Sequence, residues 1–216
     1  MFEYYFFDLD GTLTDSSLGI INSFKYALTK LSLKVPEDSC LRKYIGPPLL
    51  EVFQKDYGMD KLEADNAVKV YREYFSTKGI FENKVYPGIE EMLKKLKEKG
   101  KKLLVATSKP EKYAKIIIEY FHLDEYFDYI CGSNGDESRS EKAQVIEYAL
   151  KTCGNPDKSK VLMIGDRNYD VNGAKANGIK SCGVLFGFGS KEELEKAGAD
   201  FIVESPFQLA DEMEEE

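Results

Sequence analysis

The stretch Phe6-Phe7-Asp8-Leu9-Asp10-Gly11-Thr12 decides how this chain is read. It closes an apolar run over residues 4–7 that is bounded by turn residues and too short for a helix, so a buried strand is expected there. Asp8 and Asp10 are two apart, and in an extended segment their carboxylates point to the same side. Gly11 frees the backbone to turn sharply behind them. A second apolar run, residues 160–164, ends in the same manner with Gly165-Asp166-Arg167-Asn168-Tyr169-Asp170. Asp166 stands at that strand tip and Asp170 one helical turn further on.

Outward from these two tips, strand-like runs recur at residues 102–106, 127–131, 180–186 and 201–203. Amphipathic helical patterns separate them, at residues 87–99, 110–121, beyond Ser140, and 169–176. Strands alternating with helices predict an α/β fold with a parallel sheet covered on both faces. Residues 16–79 break the alternation. Ile20, Ile21, Phe24, Leu28 and Leu31 form one stripe, Leu50, Val52 and Phe53 fit a short helix after Pro47-Pro48, and Leu62, Ala67, Val70, Tyr71 and Tyr74 suggest a longer one. The expected organisation is a core of residues 1–15 and 80–216 with an all-helical cap, residues 16–79, inserted after the first strand. The acidic end, residues 211–216, reads as a solvated tail.

Composition narrows the function. Thirty Lys and Arg against 38 Asp and Glu among 216 residues leave a net charge of -8, which repels nucleic acid. No apolar stretch approaches the ~20 residues that span a bilayer, and the first residues lack a basic leader pattern. A soluble, cytoplasmic protein with no membrane partner is expected. Cys40, Cys131, Cys153 and Cys182 show no Cys-x-x-Cys spacing, so reduced thiols are expected rather than zinc or disulfides.

Neighbouring tips of a parallel sheet can gather up to four carboxylates: Asp8, Asp10, Asp166 and Asp170. Charges ~5 Å apart at an effective dielectric near 20 repel by roughly 3 kcal/mol per pair, so protons or a cation must compensate them. All-oxygen ligands suit Mg²⁺; the single histidine, His122, reads as packing or capping. Thr107, at the end of 102–106, and Lys142, at a helix start, add a hydroxyl and a cation, the complement of a phosphoryl group. Ser108 and Lys109 form either part of that cradle or a plain turn, and Lys109 is left out of the catalytic set. Gly187-Phe188-Gly189 lacks the third glycine of a dinucleotide loop, and no P-loop pattern occurs. Tyr44, Tyr57, Tyr71 and Tyr74 read as bundle core before pocket lining. Arg42, Gly46 and Pro47 form either a substrate-reading loop or a turn between helices.

Taken in order, Asp8-Leu9-Asp10-Gly11-Thr12-Leu13-Thr14-Asp15-Ser16, Thr107, Lys142 and Gly165-Asp166-Arg167-Asn168-Tyr169-Asp170 resemble the motif set of the haloacid dehalogenase superfamily of phosphohydrolases. The helical insertion and the stretches Gly187-Phe188-Gly189-Ser190 and Ala197-Gly198-Ala199-Asp200 are similar to its phosphoglycolate phosphatase-like branch. The resemblance implies a Rossmann-like core and Mg²⁺-dependent hydrolysis of a small phosphorylated metabolite: 2-phosphoglycolate, a sugar phosphate or a nucleoside monophosphate. It implies that Asp8 forms an aspartyl-phosphate and that Asp10 is the acid and base. Gly11, Thr107, Ser108 and Lys142 would bind the phosphoryl group; Asp8, Asp166 and the Asp10 carbonyl would hold the metal, with Asp170 binding it directly or supporting it through water or a hydrogen bond. A monomer or homodimer is expected. The alternatives are a phosphosugar mutase of β-phosphoglucomutase type and a non-hydrolytic aspartyl-phosphate signalling module; the cap and Asp10 speak against the latter.

Overall fold

The computed structural model describes residues 1–134 and 139–212, apart from the side chains of residues 211–212. The expected acidic tail therefore falls largely outside the described residues. The chain separates into two compact units, Met1–Thr14 with Val85–Glu216, and Asp15–Lys84.

In the first unit, β1 (Tyr4–Phe7) begins a chain whose next strands, β2 (Thr14–Asp15) and β3 (Lys84–Val85), are two residues each and pair with one another. They lie where the chain passes between units, and at two residues each they are too short to leave a periodic pattern. The main strands are β4 (Lys102–Pro110), β5 (Tyr129–Ser133), β6 (Val161–Gly165), β7 (Lys180–Val184) and β8 (Phe201–Val203). With β1 they make a six-stranded sheet in the order β5-β4-β1-β6-β7-β8, every pair parallel. Phe7 is in register with Val105 on one side and Ile164 on the other. The residues just past β1, β4 and β6 thus emerge side by side, at the point where the strand order reverses, which is where open α/β sheets bind ligands.

The helices of this unit are α5 (Ile89–Glu98), α6 (Glu111–Tyr120), α7 (Lys142–Thr152), α8 (Asn168–Asn177), α9 (Lys191–Ala197) and α10 (Pro206–Glu212). Phe6, Leu104, Ala106, Cys131 and Met163 share one buried cluster with Val145, Ile146 and Ala149 of α7 and Ala174 of α8. Strands central to such a sheet are covered on both faces, hence their unbroken apolar runs. Several strands depart from expectation, β4 most of all, since it runs on to Pro110 rather than ending at 106. β5 starts at Tyr129 rather than at 127, because Asp128 ends the preceding turn by accepting the Leu103 N–H at 3.0 Å and pairing with Lys97 and Lys102. β7 stops at Val184 because the following residues curl back towards Asp166.

The second unit is helical: α1 (Ser17–Lys30), α2 (Asp38–Leu41), α3 (Leu49–Tyr57) and α4 (Lys61–Tyr74), the last running into a widened π turn, Phe75–Gly79. Phe24 is its hub, with ring centroids 5.1 Å from Tyr44, 5.6 Å from Phe53 and 5.1 Å from Tyr71. Tyr44 and Tyr71 are thus bundle core. The α4 stripe is out of phase with expectation: Ala64, Ala67, Val68 and Tyr71 are buried, whereas Leu62 is 80% exposed. A capping box between Asp60 and Glu63 fixes where α4 begins and turns Leu62 outward. Among the described residues no helix is long and apolar enough to cross a membrane.

Candidate active site

After β1 the backbone makes a compact turn in which the N–H groups of Leu13 and Thr14 both donate to the Leu9 carbonyl, at 2.9 and 3.0 Å. Gly11 takes φ +83°, and a Cβ there would lie 2.3 Å from an Asp166 carboxylate oxygen and 2.6 Å from the Phe188 ring. No side chain fits at this position. Asp8 emerges beside β6, its N–H donating to the Ile164 carbonyl at 2.9 Å, and its Oδ1 accepts the Leu9 N–H at 2.8 Å.

Three carboxylates meet here. Asp8, Asp166 and Asp170 each offer an oxygen within 4.8 Å of the others. Lys142, the first residue of α7, is buried among them, with Nζ 2.8 Å from Asp8 Oδ1 and 2.8 Å from Asp170 Oδ1, and it donates to the Ala106 carbonyl at 3.1 Å. Burial works against the ammonium, but the charges of Asp170 and Asp8 outweigh it and hold its pKa above the ordinary lysine value. Burial likewise raises the Asp170 pKa, with Lys142 opposing.

Asp166 has no such partner. Fully buried, it accepts only the Phe188 N–H at 2.7 Å and a long contact from the Thr12 hydroxyl at 3.4 Å. Burial, then the charges of Asp170 and Asp8, push its pKa up to about 8. One ammonium thus faces three carboxylates, and each like-charged pair at this spacing repels by roughly 3 kcal/mol at an effective dielectric of 20. The all-oxygen donor set and its uncompensated charge fit a hard divalent cation.

Among the described residues this cluster holds three of the up to four carboxylates that the sequence allowed. Asp10 is not among them, and its Oδ2 lies 3.0 Å from Lys109 Nζ. On the sequence Lys109 was indistinguishable from a turn residue; the structure puts it beside the acid two residues past Asp8. Thr107 is buried, its hydroxyl accepting the Lys109 N–H at 3.2 Å, and Ser108 between them is half-buried.

The 187–189 stretch is a second contribution that pattern reading missed. A Cβ on Gly187 would lie 2.4 Å from Asp166 Cβ and 2.2 Å from the Gly11 carbonyl, and one on Gly189 only 1.9 Å from the Asp166 carbonyl. These glycines let the loop close on Asp166 and aim the Phe188 N–H at its carboxylate. The signal in the sequence is two glycines shortly after a strand, in a stretch that also resembles the phosphoglycolate phosphatase-like branch.

Arg42, Gly46 and Pro47 lie in the helical unit. Arg42 is exposed and opens a single 3₁₀ turn, Arg42–Tyr44; Gly46 takes φ +106°; and Pro47 is half-buried ahead of α3. His122, exposed at φ +56°, ends α6 with its N–H on the Glu119 carbonyl, a capping role.

Comparison with known proteins agrees with this arrangement. Residues 5–184 match the family model described as haloacid dehalogenase-like hydrolase. The chain is 45% identical over 188 residues to a 5'-nucleotidase of Pseudomonas aeruginosa, covering 87% of this chain and 85% of that one. It is 37% identical over 196 residues to the tyrosine-protein kinase PtkA of Mycobacterium tuberculosis, covering 91% of this chain and 66% of that longer protein. The crystal structure of a predicted phosphatase from Clostridium acetobutylicum superposes with a TM-score of 0.96 at 49% identity, over 100% of both chains.

Proposed function

The chain belongs to the haloacid dehalogenase-like hydrolases, and from that premise we propose that it hydrolyses small phosphomonoesters through a phosphoryl group carried on Asp8. The observation that carries this reading is the cluster of Asp8, Asp166 and Asp170 around the buried Lys142. With Lys142 and the divalent cation that the carboxylates would hold, such a cluster would screen the charge of an approaching phosphate, without which a carboxylate cannot attack phosphorus.

An Asp8 oxygen attacks phosphorus while the ester P–O bond breaks, and Asp10 gives its proton to the departing oxygen. Water then attacks the same phosphorus, passing a proton back to Asp10, and the bond to Asp8 breaks to release phosphate. Lys142 offsets charge on Asp8 and on the transferring group, which the Thr107 hydroxyl and the turn at Ser108 hold in line. Mg²⁺, held by Asp8, Asp166 and Asp170 with the Asp10 carbonyl, would supply further charge neutralisation to the phosphoryl oxygens.

Similarity to a 5'-nucleotidase supports nucleoside monophosphates as the first substrate class, ahead of 2-phosphoglycolate and sugar phosphates. Similarity to a protein named as a tyrosine kinase favours one second reading, in which a hydroxyl other than water accepts the phosphoryl group from Asp8; a mutase differs only in that acceptor. Phosphate release from a panel of monoesters, with and without Mg²⁺, tests the proposal. Turnover should need the metal and vanish in Asp8→Asn. Near wild-type activity in that variant contradicts it, and ester exchange without phosphate release favours the second reading.

A further inference from the structure

The Asp10–Lys109 pair arises from an irregularity in β4. Ala106 pairs with Cys131 of β5 and Pro110 with Ser133, so Thr107, Ser108 and Lys109 together face the single residue Gly132. Extra residues in one strand form a bulge, which re-aims side chains that regular pleating would send elsewhere. Gly132 makes room for it: a Cβ there would lie 2.7 Å from the Lys109 carbonyl and 2.5 Å from Glu111 Cα. The Lys109 N–H, donating to the Thr107 hydroxyl at 3.2 Å, closes the bulge.

The bulge delivers the Lys109 side chain to Asp10 in a nearly enclosed setting, the two side chains being only 7% and 15% exposed. A mobile surface pair would contribute little; this one holds its partner in place. The two Asp10 oxygens differ. Oδ2 lies 3.0 Å from the ammonium, whereas Oδ1 is buried and accepts no hydrogen bond. A buried acceptor without a partner is costly, and because a carboxylate is planar, fixing one oxygen fixes the direction of the other.

We propose that Lys109 is a positioning residue: it pins Oδ2 of Asp10 so that Oδ1 is the oxygen presented to the leaving group and then to water. This rests on the phosphatase reading above. Lys109 touches neither the phosphoryl group nor the leaving group, and it acts only through Asp10.

Leaving-group dependence tests it. A para-nitrophenolate departs readily without a proton, whereas unsubstituted phenolate depends more on a placed acid. Lys109→Met should lower kcat/KM for phenyl phosphate by roughly 10-fold or more, the scale of general acid catalysis. The loss for para-nitrophenyl phosphate should stay within about 3-fold, so the ratio between substrates widens. In an Asp10→Asn background the same substitution should add less than about 2-fold, because it has lost the group it acts through. Lys109→Ala, read by the same ratio, replaces the methionine variant should that one not fold. An equal loss on both esters, no loss on either, or full additivity with Asp10→Asn overturns the role of Lys109. Those outcomes leave metal-dependent wild-type turnover and an inactive Asp8→Asn intact, whereas a wild-type protein idle on every monoester of the panel, aryl esters included, sinks the phosphatase reading, and this proposal with it.

Discussion

Replacing Asp166 by asparagine should stabilise the metal-free protein, by an amount that grows with pH. Asp166 is buried with a pKa of about 8 in the fold, against an ordinary value of 3.8. Between those values the folded state holds a proton that the unfolded state has released. Folding stability is therefore greatest below the lower value and falls as pH rises through the higher one, by about 1.4 kcal/mol per pH unit. From about pH 5.5 to about pH 7.5 the wild type should lose about 2–3 kcal/mol that Asp166→Asn keeps. The amide oxygen can still accept the Phe188 N–H, so the loop need not move. Urea denaturation followed by circular dichroism in chelator measures both proteins across pH. Excess Mg²⁺ should reverse the order at neutral pH, since binding to the folded state alone raises stability and the variant lacks one ligand. Parallel pH profiles would show that Asp166 is not held proton-bound by its neighbours, and the electrostatic account would fail there.

Other perturbations follow from the same contacts. Lys142→Met leaves Asp8 and Asp170 buried without their cation; a loss of about 3–5 kcal/mol in neutral-pH denaturation is expected, together with loss of phosphate release. Gly189→Ala drives a methyl group into the Asp166 carbonyl, and Mg²⁺ affinity, measured calorimetrically, should weaken by roughly 10–100-fold, as for other supports of a metal ligand. Phe24→Ala empties the hub of the helical unit and should cost about 3–5 kcal/mol, read from the loss of helical signal on denaturation.

What could be read from sequence divides along physical lines. The strand at Tyr4–Phe7 and the paired acids behind it were legible because burial on both faces imposes an unbroken apolar run, and because extended backbone sets the direction of Asp8. Lys142 was legible from its place at a helix start. The Asp10–Lys109 pair was not: alternation says nothing of Lys109, which the bulge at Thr107–Lys109 brings to Asp10. Bulges leave no periodic trace. The loop around Phe188 was hidden for a related reason, since its function is a backbone N–H and two missing side chains. Leu62 misled because helix phase depends on where the cap begins, and the Asp60–Glu63 box sets that.

The most direct test of the mechanism is to trap Asp8 during turnover. Borohydride added in the steady state, with Mg²⁺ and a para-nitrophenyl ester, reduces an acyl phosphate to an alcohol, which peptide mass spectrometry then locates. Homoserine is expected at position 8, dependent on both metal and ester. Full turnover with position 8 left as unmodified aspartate, or the modification found at Asp10 or Asp166, would contradict it.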